Sequence, residues 1–369
     1  MKVIIAAAGT AGHINPGLSI ANKIKEEEPS SEIMFIGTKR GLENDLVPRA
    51  GYELKSIEAY GLSLKRPDRL LKTLKGFGEA KKIIKEFKPD VVIGTGGYIC
   101  GAVITEANKL GIKTLLHESN AFPGKAVKML AKKTDCIMVG FKEAKERLLK
   151  ANKTVVTGNP TKIKDLNLNK TEKDKIIKGL ELDSKKPILL VFGGSQGARA
   201  INNAIIKIVK EKVNSNYQII WAPGPVQYDI IKEELKNNNM DIENLQNIKV
   251  YPYIYNMEEM MNISDLLICR SGAMTVNEVS IVGKPAIFIP LPGVSQNHQE
   301  YNAKVLQKIG AAKIIHNEDL EKFDLNKYIE ELIYNKELLK QMGEKAKSVS
   351  NENALEIIFE EIKKILHRC

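Results

Sequence analysis

A histidine stands just beyond a glycine-containing turn near the start of the chain. The run AAAGTAGHINPG, residues 6–17, follows the apolar stretch MKVII and places His13 directly after Gly12. Glycine lets a ligand approach the backbone closely, and a helix that begins near Asn15–Pro16 would direct its positive dipole end at that ligand. Imidazole side chains titrate near about pH 6.5, so His13 is a candidate general base. The alternative is that it only orients a substrate or caps the helix.

Two more glycine turns follow apolar, strand-like runs. GTGGY, residues 94–98, comes after VVI, and GGSQGAR, residues 193–199, comes after PILLVF. Neither GGSQGAR nor the first turn, AGTAGH, matches the G-x-G-x-x-G motif of dinucleotide-binding dehydrogenases. Such enzymes also need an acidic residue at the end of the second strand, where EIMFIGTKR ends in Lys39 and Arg40. Glycine can serve turn geometry alone. Three such turns at the carboxyl ends of parallel strands nevertheless indicate a ligand-binding edge.

Polar residues follow three other stretches with strand or loop character. HESN, residues 117–120, could act on a ligand or merely cap the next helix. RSGAMTVNE, residues 270–278, ends in Glu278, whose carboxylate could accept two ribose hydroxyls or be an ordinary helix-surface group. NHQEYN, residues 297–302, supplies amide and imidazole groups near a predicted helix start.

Several classes of chemistry lack their signatures. No D-x-D motif occurs, the five histidines lack metal-ligand spacing, and no G-x-S-x-G elbow is present. The sequence therefore requires no metal or other cofactor, and it leaves open whether a divalent ion assists. The four cysteines are scattered, which fits a reducing cytosol. The first apolar run is too short for a signal peptide, and no uncharged run is long enough to span a membrane.

The positive charge is concentrated in the first half of the chain. Residues 1–160 carry 27 Lys and Arg against 17 Asp and Glu, whereas residues 161–369 carry 29 against 28. The excess indicates either an ordinary solvated basic surface, which is common in a lysine-rich chain, or a half that meets an anionic partner, such as a phosphate-bearing substrate or an acidic membrane. No nucleic-acid motif or basic stripe interleaved with aromatic residues appears, so we expect no nucleic acid partner.

Strand-like and helix-like runs alternate in both halves, which predicts two Rossmann-like α/β domains with parallel sheets. The polar segment 161–186 predicts a linker. We assign residues 1–160 to an N-terminal domain and 161–344 to a C-terminal domain. A final helix, about 345–369, has apolar spacing at Leu355, Ile358 and Ile362. We expect it to join the first domain; capping the second is the alternative.

The ordered motifs GTAGH, GTGGY, HESN, GNP, GGSQGAR, RSGAMTVNE and NHQ resemble the MurG family, the N-acetylglucosaminyltransferases of peptidoglycan synthesis. The match runs from Gly9 to Ala303. The resemblance implies a glycosyltransferase-B fold, with two Rossmann-like domains facing across a cleft. It also implies inverting transfer of N-acetylglucosamine (GlcNAc) from UDP-GlcNAc to the 4-hydroxyl of the muramoyl sugar of lipid I, giving lipid II and UDP.

The resemblance implies a role for each matching residue. His13 would be the catalytic base, with Glu118 as its rival. The predicted donor and sugar contacts are Thr10, Ala11, Gly12, Asn120, Lys162, Ser195, Gln196, Asn202, Ile254, Ala273, Met274, Thr275, Val276, Asn277, Glu278 and Gln299. The acceptor diphosphate would bind at Gly9, Gly12, Gly96, Gly97 and Tyr98. No metal ligand is implied.

Within the second domain, Ser195 and Gln196 would bind the donor diphosphate, Ile254 would present its backbone to uracil, and Glu278 would bind the ribose. Gln299, with Asn120 of the first domain, would hold sugar hydroxyls.

The sequence departs from the family pattern in three places. The first turn, often all glycine, contains Ala8 and Ala11, which fit only if their φ angles stay negative. Ser119 replaces a glutamine. Lys162 stands where some members carry arginine, and a lysine keeps the charge but loses the two-pronged hydrogen bonding.

The implied partners are UDP-GlcNAc, lipid I, an anionic membrane surface and other proteins of cell-wall synthesis. We expect a cytoplasmic protein bound peripherally to the inner face of the cell membrane. The predicted docking segment is Leu62–Phe77, because Gly76 and Gly78 are expected to interrupt a regular core helix there. Its basic residues are Lys65, Arg66, Arg69, Lys72 and Lys75. Ile84 and Phe87 instead suit an ordinary amphipathic helix that faces the sheet.

Two rival functions stay open at the level of sequence. One is another UDP-sugar enzyme of the same fold, either a glycolipid glycosyltransferase or a UDP-GlcNAc epimerase. The other is a non-catalytic protein that binds a nucleotide sugar within a membrane complex.

Overall fold

The computed structural model describes residues 1–59, 67–194 and 197–366. The chain divides into two compact units: the first comprises Met1–Lys162 and Asn351–Cys369, and the second comprises Ile163–Ser350. Each unit alternates strands with helices, as the repeated apolar runs predict. Among the described residues, no helix combines the length and apolar character needed to cross a membrane.

A seven-stranded parallel sheet forms the centre of the first unit. Its order is β3-β2-β1-β4-β5-β6-β7. The strands are β1 (Lys2–Ala7), β2 (Glu32–Gly37), β3 (Glu53–Ser56), β4 (Val91–Gly96), β5 (Lys113–Glu118), β6 (Cys136–Val139) and β7 (Thr154–Val156). Ile4 and Ile5 of β1 belong to core clusters on opposite faces, and both are fully buried. Burial on both faces explains the continuous apolar runs in the sequence.

Helices cover both faces of this sheet. They are α1 (Ala11–Glu27), α2 (Glu43–Arg49), α3 (Pro67–Phe87), α4 (Ile99–Lys109), α5 (Lys125–Leu130), α6 (Lys142–Lys145) and a C-terminal helix (Ala354–Leu366). Ile84 of α3 and Val103 of α4 share a core cluster on one face. On the other face, Ile20 of α1 packs in one cluster with Ile358 and Ile362 of the C-terminal helix. The end of the chain is therefore part of the first unit's core.

The second unit contains a six-stranded parallel sheet of order β10-β9-β8-β11-β12-β13. Its strands are β8 (Ile188–Phe192), β9 (Gln218–Ala222), β10 (Ile248–Val250), β11 (Leu266–Cys269), β12 (Ala286–Phe288) and β13 (Ala312–Ile314). Its helices are α7 (Lys170–Gly179), α8 (Arg199–Glu211), α9 (Pro225–Lys236), α10 (Met257–Ile263), α11 (Ala273–Val282), α12 (His298–Lys308), α13 (Leu325–Ile333) and α14 (Lys336–Lys347). Trp221 and Tyr217 are its largest fully buried side chains.

The two sheets share one strand order. When the strands of each unit are numbered along the chain, both sheets run third, second, first, fourth, fifth and sixth from one edge, and the first sheet adds a seventh strand. The winding therefore reverses between β1 and β4 and again between β8 and β11. In open α/β sheets, ligands bind beyond the carboxyl ends of the strands at this reversal. Each unit therefore has one topologically defined place for a ligand.

The start of α1 differs from the sequence prediction. The helix begins at Ala11, not near Asn15, and Pro16 lies inside it. Thr10 is the residue before the helix and has an extended backbone, with φ −117° and ψ 156°. His13 is consequently in the first turn of α1, where its position is fixed by the helix.

One other local prediction is wrong. The glycines at 76 and 78 do not interrupt α3, which continues through both. A Cβ atom on Gly76 would lie within 1.8 Å of the Glu58 carbonyl oxygen, so this glycine permits close packing of the helix. The polar linker contains α7, because Asn169 and Glu172 form a capping box at its start.

Candidate active site

The strand reversal of the first unit carries two of the predicted glycine turns. β1 leads into Gly9, and its hydrogen-bonded neighbour β4 ends at Gly96. Gly9, Gly96 and Gly97 have φ angles of +97°, +133° and +82°, a region that favours glycine. Ala8 and Ala11 do not have positive φ, so alanine fits both positions.

The imidazole of His13 packs directly on the second turn. A Cβ atom on Gly96 would lie 2.3 Å from His13 Cδ2, so only glycine leaves room for the ring. Nδ1 of His13 lies 3.1 Å from the carbonyl oxygen of Ala8. Because a carbonyl only accepts, this contact assigns the proton to Nδ1 and leaves the lone pair on Nε2. The half-buried ring can therefore accept a proton at Nε2.

The backbone N–H groups of the first turn are not equivalent. The N–H of Gly9 donates to Glu43 Oε2 at 3.0 Å, so it is already used within the protein. The N–H groups of His13 and Ile14 donate to the Thr10 carbonyl, so those of Ala11 and Gly12, which precede them in α1, are the ones suited to bind an anion. Of the other predicted contacts here, Thr10, Gly12 and Tyr98 are exposed, and Ala11 and Gly97 are half-buried.

Glu118, the rival base, is only 5% exposed and holds its own loop together. Its Oε1 accepts from the backbone N–H and the side-chain amide of Asn120, at 2.9 and 3.0 Å. Its Oε2 accepts from the N–H of Gly124 at 2.7 Å. Three hydrogen bonds fix this carboxylate, which makes it better suited to positioning Asn120 than to accepting a proton from substrate.

His117 is a buried structural histidine. Nε2 lies 3.2 Å from the Gly158 carbonyl oxygen, which accepts, so Nδ1 carries the lone pair and accepts from the Ser119 hydroxyl at 3.3 Å. Burial lowers the pKa of His117 to about 4, and the ring is neutral at pH 7. The Asn159 amide donates to the Ser119 carbonyl at 3.0 Å. This hydrogen bond connects the GNP motif, residues 158–160, to the HESN motif.

The strand reversal of the second unit begins with the turn after β8. Ser195 and Gln196, the predicted diphosphate contacts, lie outside the described residues. Asn202, on α8, is 1% exposed; its amide donates to the Pro223 carbonyl and accepts from the Trp221 indole N–H, each at 3.1 Å. The polar atoms of Asn202 are thus engaged within the protein, where they hold α8 against the end of β9.

The turn after β11 connects three elements of the second unit. Arg270 is 9% exposed, and Nη1 donates to the Ile289 and Pro290 carbonyls at 2.9 and 3.1 Å. Burial lowers the pKa of Arg270. The Ser271 hydroxyl donates to the Gln299 carbonyl at 2.8 Å. The RSG segment therefore fixes the end of β12 and the start of α12 relative to β11.

The predicted nucleoside contacts begin α11. Glu278 is half-buried. Burial is the main cause of the raised pKa of the Cys269 thiol, at the end of β11, and the charge of the nearby Glu278 contributes to it. The half-buried contacts on this helix are Met274, Thr275 and Glu278, and the buried ones are Ala273, Val276 and Asn277. One side of the first turns of α11 is therefore accessible to a ligand.

Gln299 lies in the first turn of α12. Its Oε1 accepts from the Leu291 N–H at 2.9 Å, which leaves the Nε2 amide as the donor for a ligand. The two residues immediately before α12, Gln296 and Asn297, have φ angles of +54° and +55°. This conformation is uncommon for residues other than glycine. Such strain is common in loops that hold ligands.

The remaining predicted contacts are Ile254 and Lys162. The side chain of Ile254 is 5% exposed, so its backbone is the part suited to recognition, and Lys162 is exposed at the end of the first unit. Burial raises the pKa of the Cys100 thiol to about 12, which makes it a poor nucleophile. Within the described ranges, no three His, Cys, Asp or Glu side chains are grouped as metal ligands would be.

Comparisons with known proteins agree over the whole chain. The model of the glycosyltransferase family 28 N-terminal domain matches residues 3–139, and that of the glycosyltransferase family 28 C-terminal domain matches residues 188–358. A UDP-N-acetylglucosamine--N-acetylmuramyl-(pentapeptide) pyrophosphoryl-undecaprenol N-acetylglucosamine transferase of Acetivibrio thermocellus is 43% identical over 99% of this chain and 98% of its own. A crystal structure of MurG from Acinetobacter baumannii superposes with a TM-score of 0.78, at 29% identity, and covers 98% of this chain and 99% of its own. The chain belongs to the MurG family.

These comparisons confirm the family and the fold that the sequence motifs predict. A relative from a Thermoanaerobacter species, named as the same transferase, is 42% identical over 99% of this chain and 100% of its own. The two parallel α/β units are those of the glycosyltransferase-B fold. The roles of individual residues stay predictions.

Glu43 is the polar residue that the motif analysis missed. It lies 34 positions from Gly9 in sequence, and no motif includes both. The available signal was local: Gly37 and Gly41 shortly precede Glu43, and a Cβ atom on them would lie 2.6 and 1.9 Å, respectively, from Glu43 side-chain atoms. Glycines that make room for a buried acidic side chain mark that side chain as structurally important.

Proposed function

We propose that this protein transfers GlcNAc from UDP-GlcNAc to the 4-hydroxyl of the muramoyl sugar of lipid I, giving lipid II and UDP. Full-length similarity to transferases whose names state this reaction supports the substrates. The observation that carries the chemistry is His13, whose Nδ1 is bound to the Ala8 carbonyl and whose Nε2 keeps its lone pair. A sugar hydroxyl needs such a base to become a nucleophile.

The reaction is a single displacement. The acceptor oxygen forms a bond to the anomeric carbon of GlcNAc, the bond from that carbon to the UDP oxygen breaks, and the hydroxyl proton passes to His13 Nε2. Glu118 is the weaker candidate base because three hydrogen bonds already engage it. Its role is to hold Asn120 in position.

The donor binds to the second unit in this proposal. Glu278 accepts the ribose hydroxyls, Gln299 donates from Nε2 to the sugar, and the backbone at Ile254 recognises uracil. The leaving diphosphate is stabilised by Ser195, Gln196 and the positive end of the α8 dipole. Thirteen residues in α8 are enough to give that dipole its usual strength at the first turn.

Turnover with both substrates tests the proposed function. With lipid I and UDP-GlcNAc, we expect equimolar lipid II and UDP; with UDP-GlcNAc alone, we expect no conversion. Formation of an isomeric UDP-sugar without acceptor would instead indicate an epimerase. Nucleotide-sugar binding with no turnover on lipid I would indicate a non-catalytic partner.

We also propose that the first unit docks on the anionic cytoplasmic face of the cell membrane, where a lipid-linked acceptor resides. Its excess of basic residues supports this proposal. The predicted docking segment, Leu62–Phe77, lies partly outside the described residues. Within the described part, Leu74 is 59% exposed and Phe77 packs against the core; Ile84, beyond the segment, is buried.

Vesicle co-sedimentation tests the docking proposal. Each basic residue near an anionic surface contributes about 1 kcal/mol, so replacing Lys65, Arg66, Arg69 and Lys72 by Ser should greatly reduce binding to anionic vesicles. UDP affinity should not change, and added salt should weaken wild-type binding. Equal sedimentation of the variant and the wild type would place the docking surface elsewhere.

A further inference from the structure

The Glu43 carboxylate is buried directly behind the first glycine turn. It is 0% exposed and begins α2. Its Oε2 accepts the N–H of Gly9 at 3.0 Å, and its Oε1 accepts the N–H and hydroxyl of Thr38 at 2.9 and 2.7 Å. Both carboxylate oxygens are thus fixed by donors from two neighbouring strand ends.

This carboxyl group is ionised at neutral pH. Burial alone would raise its pKa, but the hydrogen bonds from Gly9 and Thr38 together outweigh burial and lower the pKa below its usual value. Gly37 and Gly41 lack the Cβ atoms that would collide with the Glu43 side chain. The fold therefore maintains a buried negative charge at this position.

One peptide group joins Glu43 to His13. The carbonyl of Ala8 accepts from His13 Nδ1, and the N–H of the same peptide bond, on Gly9, donates to Glu43. Hydrogen bonds at the two ends of a peptide group polarise each other, so a carboxylate on the N–H makes the carbonyl a stronger acceptor. The order is Glu43 carboxylate, Ala8–Gly9 peptide, His13 imidazole.

We propose that Glu43 is a positioning residue that acts on His13 through the Ala8–Gly9 peptide. It keeps the Nδ1–H tautomer, fixes the ring, and stabilises the imidazolium that forms when Nε2 takes the acceptor proton. Glu43 takes no proton itself, as with the carboxylate of a catalytic triad. The inference rests on the proposed function, since it requires His13 to be the base.

The test uses Glu43→Gln in the full-length protein. A glutamine has one acceptor oxygen and one donor NH₂ group where three donors converge, so it cannot accept from Gly9 and Thr38 together. We expect kcat to fall about tenfold or more, a share of the factor of roughly 10²–10⁴ that general-base catalysis supplies. KM for UDP-GlcNAc should stay within about twofold, because the donor interactions are intact.

Glu106→Gln is the matched control. Glu106 is 4% exposed in the same unit and bonds Lys109 on the same helix, away from the turn. It should keep wild-type kcat. If Glu43→Gln does not fold, as judged by thermal unfolding, Glu43→Asp carries the test: it keeps the charge but draws the carboxylate away from Gly9, and kcat should again fall.

A double-mutant cycle separates the relay from a purely structural role. In a His13→Ala background, Glu43→Gln should change kcat by less than about twofold, because residues that act as a unit are not additive. Independent, multiplying losses would overturn the relay, as would a Glu43 variant with wild-type kcat. If the wild type transfers GlcNAc and His13→Ala does not slow it, the relay fails while the transferase function stands. Absence of transfer by the wild type would overturn both.

Discussion

The two units use different side chains at their strand reversals. In the first unit, a buried carboxylate, Glu43, braces the turn after β1 by accepting the N–H of Gly9. In the second unit, the neutral amide of Asn202, on the helix after β8, joins the Trp221 indole to the Pro223 carbonyl at the end of β9. The strand order is the same in both sheets, so the difference lies in the chemistry of the brace.

The difference is one of charge: the side chain at the first strand reversal is an anion and the one at the second is neutral. A negative charge on the Gly9 N–H supports an imidazolium at His13 and opposes a second anion at that N–H. Of the contacts predicted for the acceptor diphosphate, Gly9 is therefore less suited to an anion than Gly12, Gly96, Gly97 and Tyr98. The neutral brace in the second unit adds no charge that would repel a donor diphosphate.

Removing the base should have the largest effect. We expect His13→Ala to lower kcat by about 10²-fold or more, while UDP affinity changes little, because the side chain lies against the two glycine turns of the first unit and the proposed UDP contacts belong to the second. Single-turnover kinetics with calorimetry of UDP binding measures both. His316→Ala is the control, since that partly exposed ring belongs to the second unit. A loss confined to the acceptor KM would make His13 a binding residue.

The other histidine of this edge, His117, should affect stability instead of catalysis. Its pKa is about 4 in the folded protein against 6.5 when unfolded, so acid protonates the unfolded chain first. The contribution of the neutral ring to the free energy of unfolding is about 3 kcal/mol. It is complete above pH 6.5 and is lost as the pH falls towards 4.

Urea unfolding at pH 7 and pH 4.5 checks this prediction. The wild type should lose more unfolding free energy on acidification than His117→Gln, which lacks the titrating group. Equal losses in the two proteins would show that His117 is protonated as readily in the fold as in the unfolded chain.

Donor recognition provides the next test of the comparison. Glu278→Ala should weaken UDP binding by about 1.5–3 kcal/mol, the range for a hydrogen bond to a charged group. Calorimetry measures it, with Glu344→Ala, an exposed carboxylate of α14, as the control. Unchanged UDP affinity in Glu278→Ala would remove this residue from the donor site.

The neutral brace should have the smallest effect. Asn202→Ala leaves the Trp221 N–H and the Pro223 carbonyl without their partner, and we expect a loss of about 1–2 kcal/mol in unfolding free energy. At saturating donor, kcat should stay close to wild type, in contrast to Glu43→Gln. Asn238→Ala, which removes an exposed amide, is the control. A kcat loss as large as that of Glu43→Gln would erase the distinction between the two braces.

Much of this architecture could be predicted from sequence because apolar runs and glycine turns act locally. The turns at Gly9 and Gly96 were predicted from composition, and the C-terminal helix from its Ile358 and Ile362 spacing. The beginning of α1 was misplaced because Pro16 resembles a first helical residue, whereas Ala11 gives no start signal.

The parts that escaped prediction depend on contacts between distant segments. Glu43 reaches Gly9 only after β2 has paired with β1. Gly76 resembles a helix interruption until the Glu58 carbonyl is seen against it. Asn202 reads as a ligand contact within its motif, but the fold gives its amide to Trp221 and Pro223. Such pairings are set by tertiary structure: the glycines before Glu43 indicate that a side chain needs space there, but they do not identify its partner.

One direct displacement assisted by His13 inverts the anomeric carbon, so the anomeric configuration of the product tests the single displacement most directly. Lipid II made from UDP-α-GlcNAc by the purified protein would be analysed by NMR of the new glycosidic bond. A single displacement predicts the β linkage, formed only when both substrates are present. An α linkage would require two displacements or front-face attack, and would contradict the account.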